Sequence, residues 1–385
     1  MKKRFLRDIA EIQTGPFGSQ LHKEDYVDVG TPIVTVEHLG SRVFSEQNLP
    51  MVSEADRSRL SKYVLKKGDI VFSRVGSVDR CSFVDQKHDG WMFSGRCLRV
   101  RPSEEVDSLF LYYFFCLNTT KEFVRSIAVG ATMPSINTKL LGEVEVVCPE
   151  IEEQRKIADI LSKIDDKIEE NQKINENLEQ QAKALYQQMF IENTSPDWIE
   201  GSLRDIADIT MGQSPSGSSY NEDGIGAIFF QGRAEFSFRF PTIRLYTTEP
   251  KRMACANDIL MSVRAPVGDL NIAHTDCCIG RGLAAIHSKT NHQSFVLYTM
   301  FSLRKQLDVF NGEGTVFGSI NRSSLNDMPI LIPSDETIEE FERIVAPMDA
   351  AIRNNYDEIC RLQAIRDTLL PRLMSGELDV SSIDL

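Results

Sequence analysis

The side chains with the clearest chemistry to offer here are arginines, asparagines and glutamines set among glycines and hydroxyls. Early in the chain they fall in Gly15-Pro16-Phe17-Gly18-Ser19, in Ser73-Arg74-Val75-Gly76-Ser77 and between Gly130 and Asn137. Later, Gly212-Gln213-Ser214-Pro215 leads on to Tyr220-Asn221, and Gln231-Gly232-Arg233 and the stretch from Gly312 to Arg322 have the same make-up. Arginine, asparagine and glutamine offer paired polar atoms that match the edge of a base, while serine, threonine and backbone amides near glycine suit phosphate oxygens. On residue type and loop position, Arg42, Arg74, Arg80 and Asn137 are candidate DNA contacts in the first part, and Gln213, Arg233, Arg244, Arg264 and Arg322 in the second. Each signal is weak alone, because polar glycine-rich loops are ordinary between strands.

Other chemistries lack their residues. Gly312-Glu313-Gly314 and Gly318 are not followed by Gly-Lys-Ser/Thr, so no phosphate-binding loop of a nucleotide-driven motor is present. The glycine fingerprint of a dinucleotide fold, the Asn/Asp-Pro-Pro-aromatic tetrapeptide of amino-methyltransferases and a His-Glu-x-x-His helix are missing as well. No catalytic residue is therefore assigned. The eight cysteines show no Cys-x-x-Cys spacing, which suits reduced thiols. His274 precedes Cys277-Cys278 by three residues, but no second ligand pair accompanies it, and buried thiols in a strand are the expectation over a metal site. Arg7 and Asp8 interrupt any signal peptide after Met1-Lys2-Lys3-Arg4, and the longest apolar run, 109–117, is too short to cross a bilayer. A cytoplasmic protein is expected.

The elements that position these loops are written twice. Leu6-Arg7-Asp8-Ile9-Ala10-Glu11-Ile12 is echoed by Leu203-Arg204-Asp205-Ile206-Ala207-Asp208-Ile209. Gly68-Asp69-Ile70 with Ser73-Arg74 is matched to Asn257-Asp258-Ile259 with Arg264, and Gly95-Arg96 to Gly280-Arg281. Toward the end of each copy the offset settles at 184, carrying Ser135-Ile136-Asn137 and Pro149 onto Ser319-Ile320-Asn321 and Pro333. Such repetition predicts two similar sites. Short β-type runs recur in both copies: 33–36, 70–72, 98–100 and 144–147, then 228–230, 259–261, 283–286 and 330–332. Helices are predicted over 109–125 and 295–309. The fold class is α+β: two tandem domains with mostly antiparallel sheets, residues 1–149 and 193–332, each followed by a long helix, 150–192 and 333–385.

The helical stretches carry hydrophobic seams at alternating steps of four and three. In the first these are Ile157, Leu161, Ile164, Ile168, Leu178 and Leu185; in the second Phe341, Val345, Met348, Ile352, Leu362 and Leu369. Asn171 and Asn355 interrupt them at matched places, with Asn175 adding a second amide, and an amide in a seam selects register and partner. Ser334 is a candidate N-cap, and Pro371 should break or kink the last turn. Charge follows the same division: 150–192 has eleven acids and six bases, 333–385 twelve and five, so these two stretches hold nearly all of the net −13. The domains are close to neutral and free to carry basic faces, whereas the helices would repel DNA and suit a protein.

Several phrases in order resemble one family, the specificity (S) subunit of type I restriction-modification enzymes. Pro149-Glu150-Ile151-Glu152-Glu153-Gln154-Arg155-Lys156-Ile157 resembles its Pro-x-x-x-Glu-Gln-x-x-Ile start to the central helix, and Leu369-Leu370-Pro371-Arg372-Leu373-Met374-Ser375-Gly376-Glu377-Leu378 its ending. Gly15 to Ser19, Met211 to Pro215, Gly280-Arg281-Gly282 and Gly314-Thr315-Val316-Phe317 resemble phrases of its recognition domains. The resemblance implies two target-recognition domains, each reading half of a bipartite asymmetric site in double-stranded DNA, spaced by two antiparallel coiled-coil helices. It also implies docking of two modification (methyltransferase) subunits and of restriction (translocase and nuclease) subunits. S-adenosylmethionine, ATP and Mg would then belong to those partners, with no cofactor in this chain. A coiled-coil scaffold that does not bind DNA is the alternative, and an enzyme with an unrecognised site a third reading.

Overall fold

The computed structural model describes residues 2–18, 20–312 and 318–380. The expected phrase Gly314-Thr315-Val316-Phe317, Ser19 and residues 381–385 lie outside it. Two compact units emerge, Met1–Glu170 with Glu358–Leu385, and Asn171–Asp357. Their boundaries cut through both long helices, where the sequence reading placed divisions at helix ends. Each unit therefore holds one domain and a stretch of each helix.

In unit 1, among the described residues, Ala10–Thr14, Cys97–Pro102, Ile70–Ser73 and Cys81–Phe83 form an antiparallel sheet in that order. A second sheet runs Tyr26–Val27, Met51–Val52, Thr31–Val34, Met92–Phe93, its last pair parallel. Lys2–Phe5 pairs with Glu145–Cys148 as a ribbon. Unit 2 repeats the plan: Ala207–Met211, Leu283–Ser288, Ile259–Ser262, Leu270–Ile272; then Tyr220–Asn221, Leu245–Thr247, Ala227–Phe230, Cys277–Ile279, Met253–Ala254; and the ribbon Ile199–Ser202 with Pro329–Ile332. There Ala227–Phe230 and Cys277–Ile279 form the parallel pair.

The sheet through Ile70–Ser73 is buried on both faces, which explains why that strand reads as a continuous apolar run and not an alternation. Ile70 and Phe72 enter the larger core with the helices, while Val71 points into a smaller core with Ile33, Met92 and Phe93. Ile259 and Met261 divide from Leu260 in the same way. Cys277 and Cys278 are buried in their strand. His274 bonds Asp357 through Nε2 at 2.7 Å and lies against the rings of Phe240 and Tyr356.

The apolar stretch 109–117 forms the buried helix Ser108–Cys116, capped by Asp107, whose carboxylate accepts from the amides of Leu109 and Phe110 at 3.0 and 2.8 Å. The predicted helix over 109–125 is broken at Leu117, whose ψ of 134° is extended, and resumes as Asn118–Ser126. Gln293–Ser302, the counterpart in unit 2, has no cap from its own chain neighbour; Glu342 of the C-terminal helix accepts from the amides of Ser294 and Phe295 instead, at 3.2 and 3.0 Å. Among the described residues no helix is long and apolar enough to cross a membrane.

The central helix spans Ile151–Tyr186 and passes into a π-helix, Gln187–Glu192; the C-terminal helix spans Asp335–Met374. Ser334 does cap it, its Oγ 3.4 Å from the amide of Thr337. In unit 1 the two helices run antiparallel, with Ile157, Leu161, Leu370 and Leu373 in one core and Arg366 bonded to Asp165 at 2.8 Å. In unit 2 they are again antiparallel. The side-chain amide of Asn355 donates to that of Asn175 at 2.8 Å, and Asn175 reaches the carbonyl of Ile352 at 3.4 Å. Sequence matching aligned Asn355 with Asn171, but antiparallel packing sets Asn175 opposite it. Ile168, Asn171, Phe341, Val345 and Ile352 are buried, and Ile164, Leu178, Leu185, Met348, Asn355, Leu362 and Leu369 half-buried. The helix does not stop at Pro371, whose fixed φ fits a helix; it runs on to Met374, and Gly376, with φ at 74°, turns the chain just beyond it.

Candidate nucleic-acid interface

Two backbone clasps, one per unit, organise the loops singled out above. In unit 1 a Cβ on Gly15 would lie 2.1 Å from the carbonyl oxygen of Ser94, and one on Gly95 2.3 Å from that of Pro16. Only glycine permits this approach. In unit 2 a Cβ on Gly212 would lie 2.1 Å from the carbonyl oxygen of Gly280, and Gly280 and Gly282 press on the backbone of Gln231. The amide of Gly15 donates to Cys97, and that of Gly212 to Leu283. Arg74 donates through its amide to Arg96, and Val263 does so to Gly282.

These bonds fix the internal register and correct the matching of phrases. Arg74 corresponds to Val263, while Arg264 corresponds to Val75, each of the latter pair forming a bridge with Ser319 or Ser135. Likewise Ser94 answers Gly280, so Gly95 answers Arg281 and Arg96 answers Gly282. A one-residue shift of this kind is invisible to phrase matching, because the hydrogen-bond ladder and not residue identity defines it. Each clasp thus displays an arginine from a different position.

In unit 1, Arg74 lies 5.6 Å over the ring of exposed Phe17 and donates to the carbonyl of Gly95 at 3.1 Å. Arg96 is exposed, and among the described residues its side chain has no hydrogen bond or ion pair. The loop ending at Asn137 joins this group, since the amide of Ile136 donates to Arg74 and that of Gly76 to Pro134. Asn137 is exposed, and its amide oxygen caps the short helix Thr138–Gly142 by accepting from Leu140 at 2.9 Å; Asn321 does the same for Ser324 in unit 2. In unit 2, Gln213, Arg264, Arg281 and Arg322 are exposed, and among the described residues their side chains have no partner. Arg281 and Gln213 flank the same clasp, and Arg264 is tied to it through Val263 and Gly282.

The remaining candidates are already engaged. Arg80 donates to the carbonyl of Leu39. Arg233 pairs with Asp269, which also holds Arg304 at 2.7 Å. Arg244 bonds Glu235 at 2.8 Å, with Glu222 at 3.6 Å. Arg42 is the most fully engaged of these: its side chain is only 17% exposed and is bonded to Asp166, to Glu169 at 2.9 Å and to the carbonyl of Ser162 at 3.2 Å on the central helix. Burial alone would loosen its proton, but the bond to Asp166 and the charge of Glu169 outweigh it and raise the pKa. A DNA contact from Arg42 would have to break these pairs.

Arg239 escaped sequence reasoning and is the counterpart of Arg42. The amide of Phe83 donates to the carbonyl of Arg42 at 2.7 Å, and the amide of Ile272 to that of Arg239 at 2.7 Å. With its side chain 2% exposed, Arg239 bonds Asp349 and the hydroxyl of Tyr298, with Glu179 at 3.7 Å. Arg96 and Arg281 were also missed as contacts, although both stood inside the repeated phrases. The signal available was repetition itself. Among the described residues no group of three or more metal-ligating side chains is present.

Comparison with known proteins places this geometry. Residues 1–180 and 196–359 each match the sequence profile of the type I restriction modification DNA specificity domain. The putative type I restriction enzyme MjaX specificity subunit of Methanocaldococcus jannaschii is 30% identical over 402 residues, covering 98% of this chain and 94% of its own length. The HindI specificity subunit of Haemophilus influenzae is 25% identical over 407 residues, covering 83% and 88%. The solved S subunit of a type I restriction-modification system from M. genitalium shares the fold with a TM-score of 0.63 at 17% identity, over 97% of this chain and 95% of that one. Two matched segments, falling on the two copies of one fold, establish that this chain belongs to the type I restriction-modification DNA specificity family.

Proposed function

We propose that this chain is the sequence-reading, non-catalytic subunit of a type I restriction-modification complex. Each domain reads one half of a bipartite, asymmetric site in double-stranded DNA, and the paired helices set the unread gap. The observation that carries this reading is the coincidence of two specificity-domain matches with two clasps, each presenting an exposed arginine that is unpaired among the described residues. Exposed cations on a rigid clasp position phosphates or read base edges, whereas arginines pinned to helices do not reach out. Arg74, Arg96 and Asn137 in unit 1, and Gln213, Arg264, Arg281 and Arg322 in unit 2, are the contacts proposed. The acidic helices suit methyltransferase and restriction subunits, which bring S-adenosylmethionine, ATP and Mg; this chain brings specificity.

Methylome sequencing of cells expressing the chain with its methyltransferase partner tests this. One bipartite adenine-methylated motif is expected. Inserting a heptad into each helix adds about 10 Å of rise, which lengthens the gap by about three base pairs at 3.4 Å each and leaves both half-sites intact. Replacing 193–332 with the equivalent domain of a relative should alter one half only. An unbroken motif, or a gap unmoved by the insertion, would overturn the reading.

A further inference from the structure

One face of the helix pair is closed in unit 1 and open in unit 2. In unit 1 the stretch after the C-terminal helix folds back onto it: Leu378 and Val380 join the core cluster against which Ile160 packs, and Lys156 donates to the carbonyl of Val380 at 3.4 Å. The equivalent positions on the C-terminal helix, at the offset of 184, are Ile344 for Ile160 and Glu340 for Lys156. In unit 2 the stretch that would cover them has Thr194 where unit 1 has Leu378, and Pro196 where it has Val380. Without those aliphatic plugs, a groove of about 880 Å³ remains. Leu185, Met189, Trp198, Ile332 and Ile344 supply its apolar floor, and Ile344 is 39% exposed where Ile160 is half-buried.

The rim says what fits. Asp197, Glu336 and Glu340 line it, no lysine or arginine does, and among the described residues none of the three has a cation within 4.0 Å. Exchange of Lys156 for Glu340 reverses the polarity of the contact, since in unit 1 a lysine of the helix meets a carbonyl of the covering stretch. In unit 2 the carboxylate must receive a donor from its occupant. An apolar floor with an unpaired acidic rim matches an aliphatic segment that carries a lysine or arginine, and a floor of this type is characteristic of helix or strand recognition between proteins.

We infer that the groove between the π-helix Gln187–Glu192 and the first turns of the C-terminal helix docks a short aliphatic, basic segment of the methyltransferase partner, a contact that only unit 2 offers. This rests on the function proposed above. The test uses the full chain co-expressed with that methyltransferase subunit, comparing wild type with the double variant Glu336→Lys/Glu340→Lys, whose two positions are exposed. The variant should bind the subunit at least tenfold more weakly while its melting temperature falls by only a few degrees, the cost of a lysine in the first helical turn. A benzoylphenylalanine placed at position 337 should crosslink to a methyltransferase peptide that holds a lysine or arginine beside aliphatic residues. Affinity within twofold of wild type, or a crosslink only to a second copy of this chain, overturns the inference and leaves the proposed function standing. A wild-type chain that neither binds the methyltransferase subunit nor directs methylation overturns both.

Discussion

The two units solve the problem of fixing a domain to a helix with the same pair of groups and different arginines. Tyr113 donates to Asp165 at 2.8 Å in unit 1, and Tyr298 donates to Asp349 at 3.0 Å at the equivalent place in unit 2. Asp165 takes its cation from Arg366 on the C-terminal helix, whereas Asp349 takes Arg239 from the domain itself. Arg42, the structural counterpart of Arg239, goes instead to Asp166, the next residue, and to Glu169, one turn on. What has to be kept is a neutralised carboxylate facing a tyrosine. The segment supplying the positive charge is free to change, because Coulomb attraction has no directional requirement beyond proximity.

Removing the cation should separate the units most clearly. Arg239→Ala leaves Asp349 buried without its counter-ion and should cost unit 2 about 3–4 kcal/mol. Arg366→Ala should cost unit 1 less, about 1–2 kcal/mol, because Arg366 is 29% exposed and water partly compensates. The two tryptophans, Trp91 in unit 1 and Trp198 in unit 2, report the units separately in urea denaturation of single Trp→Phe backgrounds. Equal shifts of both signals in either variant would break the comparison.

The clasps give the next largest effect. Arg96→Ala and Arg281→Ala should each weaken DNA binding by about 1–3 kcal/mol and, where the contact is to phosphate, lower the salt slope by about 1. Motif relaxation confined to opposite half-sites would sharpen the assignment, and unchanged affinity and slope in both would remove it.

The smallest effect concerns the helix cap that only unit 2 borrows. Burial raises the pKa of Glu342, with the amides of Phe295 and Ser294 opposing part of the rise. A carboxyl group raised on folding binds protons more readily in the folded state, so its contribution is full below the unfolded value of about 4.3 and is lost as pH rises through the folded value. Glu342→Gln removes this dependence. Its melting temperature relative to wild type should therefore climb between pH 4 and 7, by a few degrees at most. A fall over that interval would show that the charged carboxylate is the better cap.

The strands and the long helices were legible because their signals are local: buried runs such as Ile70-Val71-Phe72, and a seam repeating at steps of three and four. Positions set by distant partners were not. Arg42 looks like a loop arginine until Asp166, more than a hundred residues away, is folded against it, and Arg239 had no periodicity to betray it. The phrase pairing of Gly95-Arg96 with Gly280-Arg281 erred by one residue because the insertions separating the copies lie in loops, where pattern is poorest. The clasp itself could be read only as glycine-rich sequence, since the feature that demands glycine is a carbonyl from another strand.

The division of the chain has a temporal side. Unit 2 is one uninterrupted stretch, Asn171–Asp357, so its own core is complete in sequence once that stretch leaves the ribosome. Unit 1 starts first but has Leu370, Leu373, Met374 and Val380 in its core, so a domain begun at the earliest residues waits for some of the latest. During synthesis, the cluster that holds Ile157 and Leu161 lacks its C-terminal members, and exposed apolar surface of this kind is what aggregation exploits. Maturation of the first reader is tied to completion of the second, so an interrupted translation product carries no finished unit 1.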